Sequence, residues 1–397
     1  MMDTDKRINF GIVGLGTAGS ALVQPVLKNK NFRMAGAADL DEQTLARFKA
    51  DFPEASVFTS AEAIAEAQGI DALFISTPTQ FHTGHVLAAI ANGKHVVTEK
   101  PIATNLEDAD LMIEAADKAQ VTLMVGHSFG YETPIKAMRE VVKNGELGPL
   151  RMMHNWYFTD WMYRPRNPEE LDTTLGGGVT FRQGSHQFDI IRLLGGGLVR
   201  SVRAMTAKFD NSRPAEGAHT VFLEFEDGAA ATAVYNGYDR FRSAELGYNV
   251  GEGGLPFNLD KYGSARSALR NAGPDNELEL KKNVRYGGTS SRNWSNIPDS
   301  HPFYGLTIVS CENGDIRQSP DGLLIYSEEE KKEIVIPKGI SGRDHILTEL
   351  KAAMVDNIPP LHDGRWGKAN LEVCLAALES SNKRKEIYLN HQKMVQD

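Results

Sequence analysis

Across 397 residues the chain carries 41% hydrophobic and 24% charged side chains, and 43 Lys and Arg against 52 Asp and Glu leave a net charge of −9. That length exceeds one comfortable core and calls for two domains; the composition excludes a disordered chain, and the acidic balance repels a phosphate backbone, so no nucleic-acid partner is expected. Cys311 and Cys374 match neither a disulfide nor a metal spacing, and neither a signal segment nor a membrane-length apolar run occurs, so a cytoplasmic protein with no metal and no membrane partner is expected.

From Ile8 to about His127 short apolar runs alternate with helix-length amphipathic segments, the pattern of a parallel sheet wrapped by helices. Strands are predicted at Asn9–Gly14, Met34–Ala38, Ala72–Ser76, His95–Thr98 and Thr122–Gly126, with helices such as Thr79–Asn92 and Asn105–Ala119 between them. The expected fold class is an α/β Rossmann-type N-terminal domain, 1–127, plus an α+β C-terminal domain, 128–397, with a large, mainly antiparallel open sheet. In that second part a helix is predicted over Glu132–Asn144 and another over Arg182–Leu194. Alternating runs at Val202–Phe209, His219–Phe225, Ala229–Tyr235, Leu323–Tyr326 and Glu333–Ile336 read as strands with one packed face. Leu255–Pro302, polar and without periodicity, reads as a surface loop, with a mobile flap or an excursion over a partner subunit as alternatives. The charge run Glu328–Lys332 reads as a solvated hairpin tip.

Gly14-Leu15-Gly16-Thr17-Ala18-Gly19 follows the first strand directly and opens a helix, the context a dinucleotide-binding G-x-G-x-x-G requires. The first glycine allows the tight turn, the second lets backbone approach a pyrophosphate, and the third lets helix and strand pack closely. The helix N-terminus then offers the amides of Thr17 and Ala18 to the phosphates. Asp39, about 20 residues further on at the end of the second strand, is placed to accept hydrogen bonds from the adenosine ribose; its other reading is a helix cap, a role that Asp41 could fill instead. With Leu40, Asp41 and Glu42 following and no basic residue among them, NAD is favoured over NADP.

The segments Ser76-Thr77-Pro78-Thr79-Gln80-Phe81-His82 and Gly93-Lys94-His95-Val96-Val97-Thr98-Glu99-Lys100-Pro101 resemble the hallmark of the Gfo/Idh/MocA oxidoreductases, a resemblance that covers nearly the whole chain. It implies that Lys100 lies beside the nicotinamide and the substrate hydroxyl, that Thr77, Pro78, His82, Glu99 and His127 border the cofactor, and that the open sheet of the second domain packs on another copy as a homodimer or homotetramer. A lysine suits that task where burial and neighbouring positive charge bring its pKa toward neutrality. Without the Glu-Lys-Pro context Lys100 would read as a surface lysine, and His127, at the end of the last strand, reads equally as a satisfied edge histidine.

A second landmark is Gly176-Gly177-Gly178-Val179-Thr180-Phe181-Arg182-Gln183-Gly184-Ser185-His186. Many sugar-oxidising members carry Asp-x-x-x-His here; this chain keeps His186, a candidate proton carrier beside Lys100, and has Arg182 in place of the Asp. Arg164, Arg166 and Arg182 then put three guanidiniums near the expected pocket, the group of choice for holding a carboxylate. Pairing of Arg164 and Arg166 with Glu169, Glu170 or Asp172 is the alternative. The run Arg164–Asp172, Gly176–Arg192 and Gly126-His127-Ser128 resembles the branch containing the phthalate cis-dihydrodiol dehydrogenases. That resemblance implies oxidation of a carboxylated cyclic diol, with Lys100 or His186 taking the hydroxyl proton and the arginines holding the carboxylates. A sugar, sugar-acid or inositol dehydrogenase, and a catalytically silent NAD-binding regulator, are the competing readings.

Overall fold

The computed structural model describes residues 7–290 and 298–396; residues 1–6, 291–297 and 397 lie outside the described residues. The described residues divide into two compact units. The first takes in everything up to Gly126, the late stretch 278–290, and Arg343–Lys368; the second takes in His127–Glu277, 298–342 and 369–396. A division into 1–127 and 128–397 therefore misses two stretches that return to the first unit.

The first unit alternates β1 (Ile8–Val13), α1 (Thr17–Lys28), β2 (Phe32–Ala38), α2 (Glu42–Asp51), β3 (Ser56–Phe58), α3 (Ala61–Glu66), β4 (Ala72–Ile75), α4 (His82–Ala91), β5 (His95–Thr98), α5 (Leu106–Ala119) and β6 (Leu123–Val125). The strands lie in the order β3-β2-β1-β4-β5-β6, every pair parallel. All four residues of β4 are buried, as a strand covered on both faces requires. The order reverses direction at β1 and β4, which opens a crevice at the carboxyl ends of those strands, where ligands collect in such sheets. Caps decide two helix starts: Asp41 accepts from Thr44 N at 2.9 Å, and Asn105 from Asp108 N at 2.8 Å. Asp41 is thus the cap of α2, and Asp39 is not. The segment Thr79–Asn92 is a 3-10 turn (Thr79–Phe81) leading into α4.

The second unit supplies α6 (Thr133–Asn144), β7 (Leu150–Phe158), α7 (Gly178–Arg182), α8 (Gly184–Leu194), β8 (Val199–Ala207), β9 (Ala218–Phe225) and β10 (Ala230–Asn236). The chain continues with α9 (Ser264–Ala272), α10 (Glu277–Lys282), β11 (Leu306–Cys311), β12 (Gly314–Ser319), β13 (Gly322–Ser327), β14 (Lys331–Val335), α11 (Gly342–Val355), α12 (Gly364–Lys383) and β15 (Ile387–Tyr388). Among the described residues nine strands run in the order β14-β13-β12-β11-β7-β10-β9-β8-β15, antiparallel except for the β7–β10 pair. Met153, Asn155 and Tyr157 of β7 point to a buried face, on which α8 packs; the opposite face exposes Met152, Trp156, Phe222 and Met205, the last 65% exposed. Alternation along each strand produces this division.

Two expectations change here. Leu255–Pro302 is not one loop: its described residues hold α9 and α10, and 278–290 belongs to the first unit, while 291–297 lie outside the described residues. Arg182–Leu194 is not one helix, because the chain breaks at Gln183 (φ −115°), whose carbonyl accepts the Tyr304 hydroxyl at 2.9 Å. In the first unit, residues of 343–368 seal the last strand: Val125 N donates to His362 O at 2.8 Å, so the outer edge of β6 is paired. Among the described residues no helix is long and apolar enough to cross a membrane.

Candidate functional site

The predicted cofactor residues of the first unit gather at the carboxyl ends of β1, β2, β4 and β5. Gly14 has φ +92°, and a Cβ on Gly19 would lie 2.0 Å from the Gly14 carbonyl, so neither position admits another residue without moving backbone. A Cβ on Gly16, by contrast, would meet nothing within 4 Å. Gly16 is the N-cap of α1 and supplies no side-chain cap, which leaves the amides of Thr17 and Ala18 uncapped by any side chain from it. An open cradle lined by amide groups at a positive helix end fits a pyrophosphate.

Asp39 turns back onto this cradle: Leu15 N donates to its Oδ2 at 2.7 Å and Asp41 N to its Oδ1 at 2.9 Å. Ser76 Oγ donates to the Gly14 carbonyl at 2.7 Å, tying the end of β4 to the glycine turn. His82 is buried, its Nε2 2.9 Å from Thr77 O and its Nδ1 3.0 Å from Pro101 O. It therefore clamps the loop after β4, which holds Thr77 and Pro78, to the loop after β5. Thr77 Oγ1 is 3.0 Å from His85 Nδ1, and burial lowers the pKa of that histidine. Glu99 N donates to Ile75 O at 2.8 Å and Lys100 N to Glu99 Oε2 at 3.2 Å, so the backbone that presents Lys100 is fixed from both sides; the Lys100–Pro101 bond is cis.

The predicted substrate residues lie in the second unit. Gly178 has φ +80°, and a Cβ there would fall 2.2 Å from Glu216 Oε1. Burial raises the pKa of Glu216, against the bonds it accepts from Thr173 Oγ1 at 2.6 Å and Thr180 N at 3.2 Å. The glycine-rich turn thus exists to let α7 start against a buried carboxyl. His186, in the first turn of α8, is buried between the rings of Phe129 (centroids 4.8 Å apart, edge-on) and Tyr304 (4.9 Å). Beneath it runs a buried polar chain: Gln187 Nε2 donates to Asn155 Oδ1 at 2.6 Å, His219 Nε2 donates to Gln187 Oε1 at 2.9 Å, and Thr180 Oγ1 lies 3.3 Å from His219 Nδ1. Burial pulls the His219 pKa from 6.5 to about 3. His127 is buried immediately after the first unit ends, its carbonyl accepting from Gly130 N at 3.1 Å.

The three arginines are close enough that Arg164 and Arg182 both act on Arg166 electrostatically, but their roles differ. Every guanidinium nitrogen of Arg164 has a protein partner: Nε on Asp160 at 2.7 Å, Nη1 on Glu252 at 2.6 Å and Nη2 on Thr159 at 3.2 Å. Burial works against ionisation of Asp160, yet Arg164 and Arg242 more than offset it and hold its carboxyl well below the usual range. Arg164 is therefore paired within the protein by Asp160, Glu252 and Thr159, the alternative that the sequence left open in kind, while about a third of its side chain (35%) stays accessible. Arg166 stacks on Trp161, 3.9 Å from the ring centre, and binds Glu170 at 3.0 Å; Arg182 reaches the same Glu170 oxygen at 3.6 Å. Two cations thus share one carboxylate, and Arg182 is the more distant from it and the more exposed of the two, with 23% of its side chain accessible against 9%. Sequence reasoning named Glu170 among the pairing options but missed Asp160, which stands at the same four-residue spacing from Arg164, and it had no signal for Glu252, Phe129 or Tyr304, which come from three separate stretches of the second unit.

Comparison with known proteins gives the family and the fold. Residues 8–127 match the model of the oxidoreductase family with an NAD-binding Rossmann fold, and 135–250 match that of the GFO/IDH/MocA C-terminal domain. Among curated relatives, 1-carboxy-3-chloro-3,4-dihydroxycyclohexa-1,5-diene dehydrogenase of Comamonas testosteroni is 34% identical over 94% of this chain and 94% of its own. A crystal structure from Bordetella bronchiseptica, described as that of a dehydrogenase, superposes with a TM-score of 0.90 at 38% identity, covering 96% of this chain and 100% of that one. An Agrobacterium radiobacter oxidoreductase solved with NAD+, L-tartaric acid and magnesium shares the fold, with a TM-score of 0.70 at 17% identity over 96% of this chain and 98% of its own.

Proposed function

The chain belongs to the Gfo/Idh/MocA family of NAD-binding oxidoreductases, and from that premise we propose that it dehydrogenates a carbinol carbon of a carboxylated cyclic diol. Bound NAD would supply the hydride acceptor for that carbon. The glycine cradle Gly14, Gly16, Thr17 and Ala18 would hold its pyrophosphate and Asp39 its adenosine ribose, with Thr77, Pro78, His82, Glu99 and His127 bordering the remainder. Lys100 takes the hydroxyl proton, its backbone held by Glu99, and His186 orients the substrate from its aromatic enclosure. Arg182, with Arg166 behind it, meets the carboxylate.

The observation that carries the substrate class is the Glu170 arrangement. Arg166 and Arg182 both reach one oxygen of Glu170, which gathers two guanidiniums at one point of a chain whose net charge is −9. A planar guanidinium is the group suited to bidentate recognition of a carboxylate. The relative from Comamonas testosteroni, whose name specifies a carboxylated diol, supports the same class.

The test follows nicotinamide absorbance against carboxylated cyclic cis-diols, their uncarboxylated counterparts, uronic acids and inositols. Carboxylated diols are expected to give kcat/KM roughly 100-fold above neutral polyols, and Arg182→Gln to raise KM for the carboxylated diols by about 10- to 100-fold with little change for neutral ones, the range for a charge-assisted pair. A uniform effect on both classes rejects carboxylate recognition, and a preference for uronic acids or inositol moves the chain to the sugar branch.

We further infer that the apolar face carrying Met152, Trp156, Met205 and Phe222 is covered by a second copy of the chain. Sedimentation equilibrium is expected to give a dimer or tetramer, and Trp156→Glu with Met205→Glu to give monomers; a monomeric wild type at micromolar concentration rejects this reading.

A further inference from the structure

The late stretch 278–290 is fixed on the first unit at three points. Tyr286 N donates to the carbonyl of Leu15, inside the glycine turn, at 3.0 Å. The Tyr286 ring stands edge-on to Phe48 at 5.6 Å, and its hydroxyl donates to Asp51 at 2.6 Å. Gly287, at φ +66°, lies so close to Arg47 that a Cβ would come within 2.9 Å of the Arg47 Cδ.

These anchors set Arg285 Nη1 3.0 Å from Asp39 Oδ1, across 246 positions of sequence. Asp39 then has three donors: the amides of Leu15 and Asp41, and Arg285. A carboxylate offers about four lone-pair positions, so accepting both hydroxyls of a ribose requires one donor to leave. The two amides are built into the glycine turn and the approach to α2, which makes the guanidinium the displaceable one. Among the described residues Nη1 is the only guanidinium nitrogen of Arg285 with a hydrogen-bond partner, and a third of the side chain (33%) is open to solvent.

We propose that Arg285 is a cofactor-specificity residue: it neutralises Asp39 and offers its remaining N–H groups to a 2′-phosphate, so the chain accepts NADP as well as NAD. This rests on the reading that Asp39 faces the adenosine ribose. A carboxylate alone at that position repels the phosphate, whereas an arginine beside it accommodates one; the fork geometry suits three phosphate oxygens. The absence of a basic residue at 40–42, which favours NAD when only the local sequence is read, is made up from a distant part of the chain.

Calorimetric titration of the full chain with NAD+ and with NADP+, in the absence of substrate, tests the proposal. The wild type is expected to bind the two within about tenfold of each other. Arg285→Ala should weaken NADP+ binding by roughly 10- to 100-fold and leave NAD+ within about threefold, and Arg285→Lys should recover most of the loss. A wild type preferring NAD+ by more than about 100-fold, or an Arg285→Ala protein in which both affinities fall together, overturns it. A wild type that binds neither dinucleotide rejects the ribose-site reading itself, a distinct result from a change in the ratio.

Discussion

Replacing Lys100 with Met is expected to lower kcat by about 10³-fold or more while NAD binding, measured by titration, stays within about threefold. The separation follows from where each task is done. Dinucleotide affinity is assigned to backbone amides of the glycine turn and to Asp39, none of which touches the Lys100 side chain through any described bond. Proton removal is assigned to the neutral amine of Lys100, and methionine keeps the length of the side chain without the ionisable group. Lys100→Arg sharpens the test: it preserves positive charge but does not release a proton at working pH, so a base role predicts an arginine variant nearly as slow as the methionine one. An arginine variant with substantial kcat would reduce Lys100 to a source of positive charge, and a fully active Lys100→Met would remove it from the chemistry.

Acid should strip the second unit of stability through His219. Its pKa falls from 6.5 to about 3 because burial disfavours the imidazolium and no anion compensates: its partners are the neutral Gln187 and Thr180. Gln187 spends its amide hydrogens on Asn155 and Val234 O, so its oxygen accepts from His219 Nε2 and the other ring nitrogen can accept from Thr180; the neutral ring is satisfied and the charged one is not. The sign follows: below pH 6.5 the unfolded chain binds a proton that the folded chain refuses, so the contribution is whole above that pH and drains away toward pH 3. The full drop is roughly 4–5 kcal/mol, of which about 3 kcal/mol is lost by pH 4.5. Denaturant unfolding of the wild type and of His219→Gln at pH 7 and pH 4.5 measures it, and the variant should lose about 3 kcal/mol less on acidification. Equal losses in the two proteins would place the acid sensitivity elsewhere.

The parts of this molecule that the sequence announces are those whose physics is local. The glycine turn is legible because its conformation is a property of six consecutive residues, and the predicted strands of the first unit fall within two residues of the observed ones because doubly covered strands are continuous apolar runs. The three residues of β3 are too short to show a period. The break at Gln183 comes from the hydroxyl of Tyr304, more than a hundred positions away, and nothing in the helical pattern of 182–194 signals it. The arginines illustrate both outcomes: the pairing of Arg166 with Glu170 is four residues apart and readable, whereas Arg164 is claimed by Glu252, 88 positions on. Arg285 lies in a polar stretch without periodicity, where composition points only to a loop.

The return of 278–290 and 343–368 to the first unit bears on how the protein is made. A ribosome must deliver the chain through Lys368 before that unit has all its parts: until Tyr286 is made the glycine turn lacks its contact with it, and until His362 is made the open flank of β6 has no carbonyl to receive. Nascent chains therefore spend most of translation with an incomplete nucleotide fold, and a gene truncated at the apparent domain boundary encodes a sheet with one raw margin rather than a self-sufficient module.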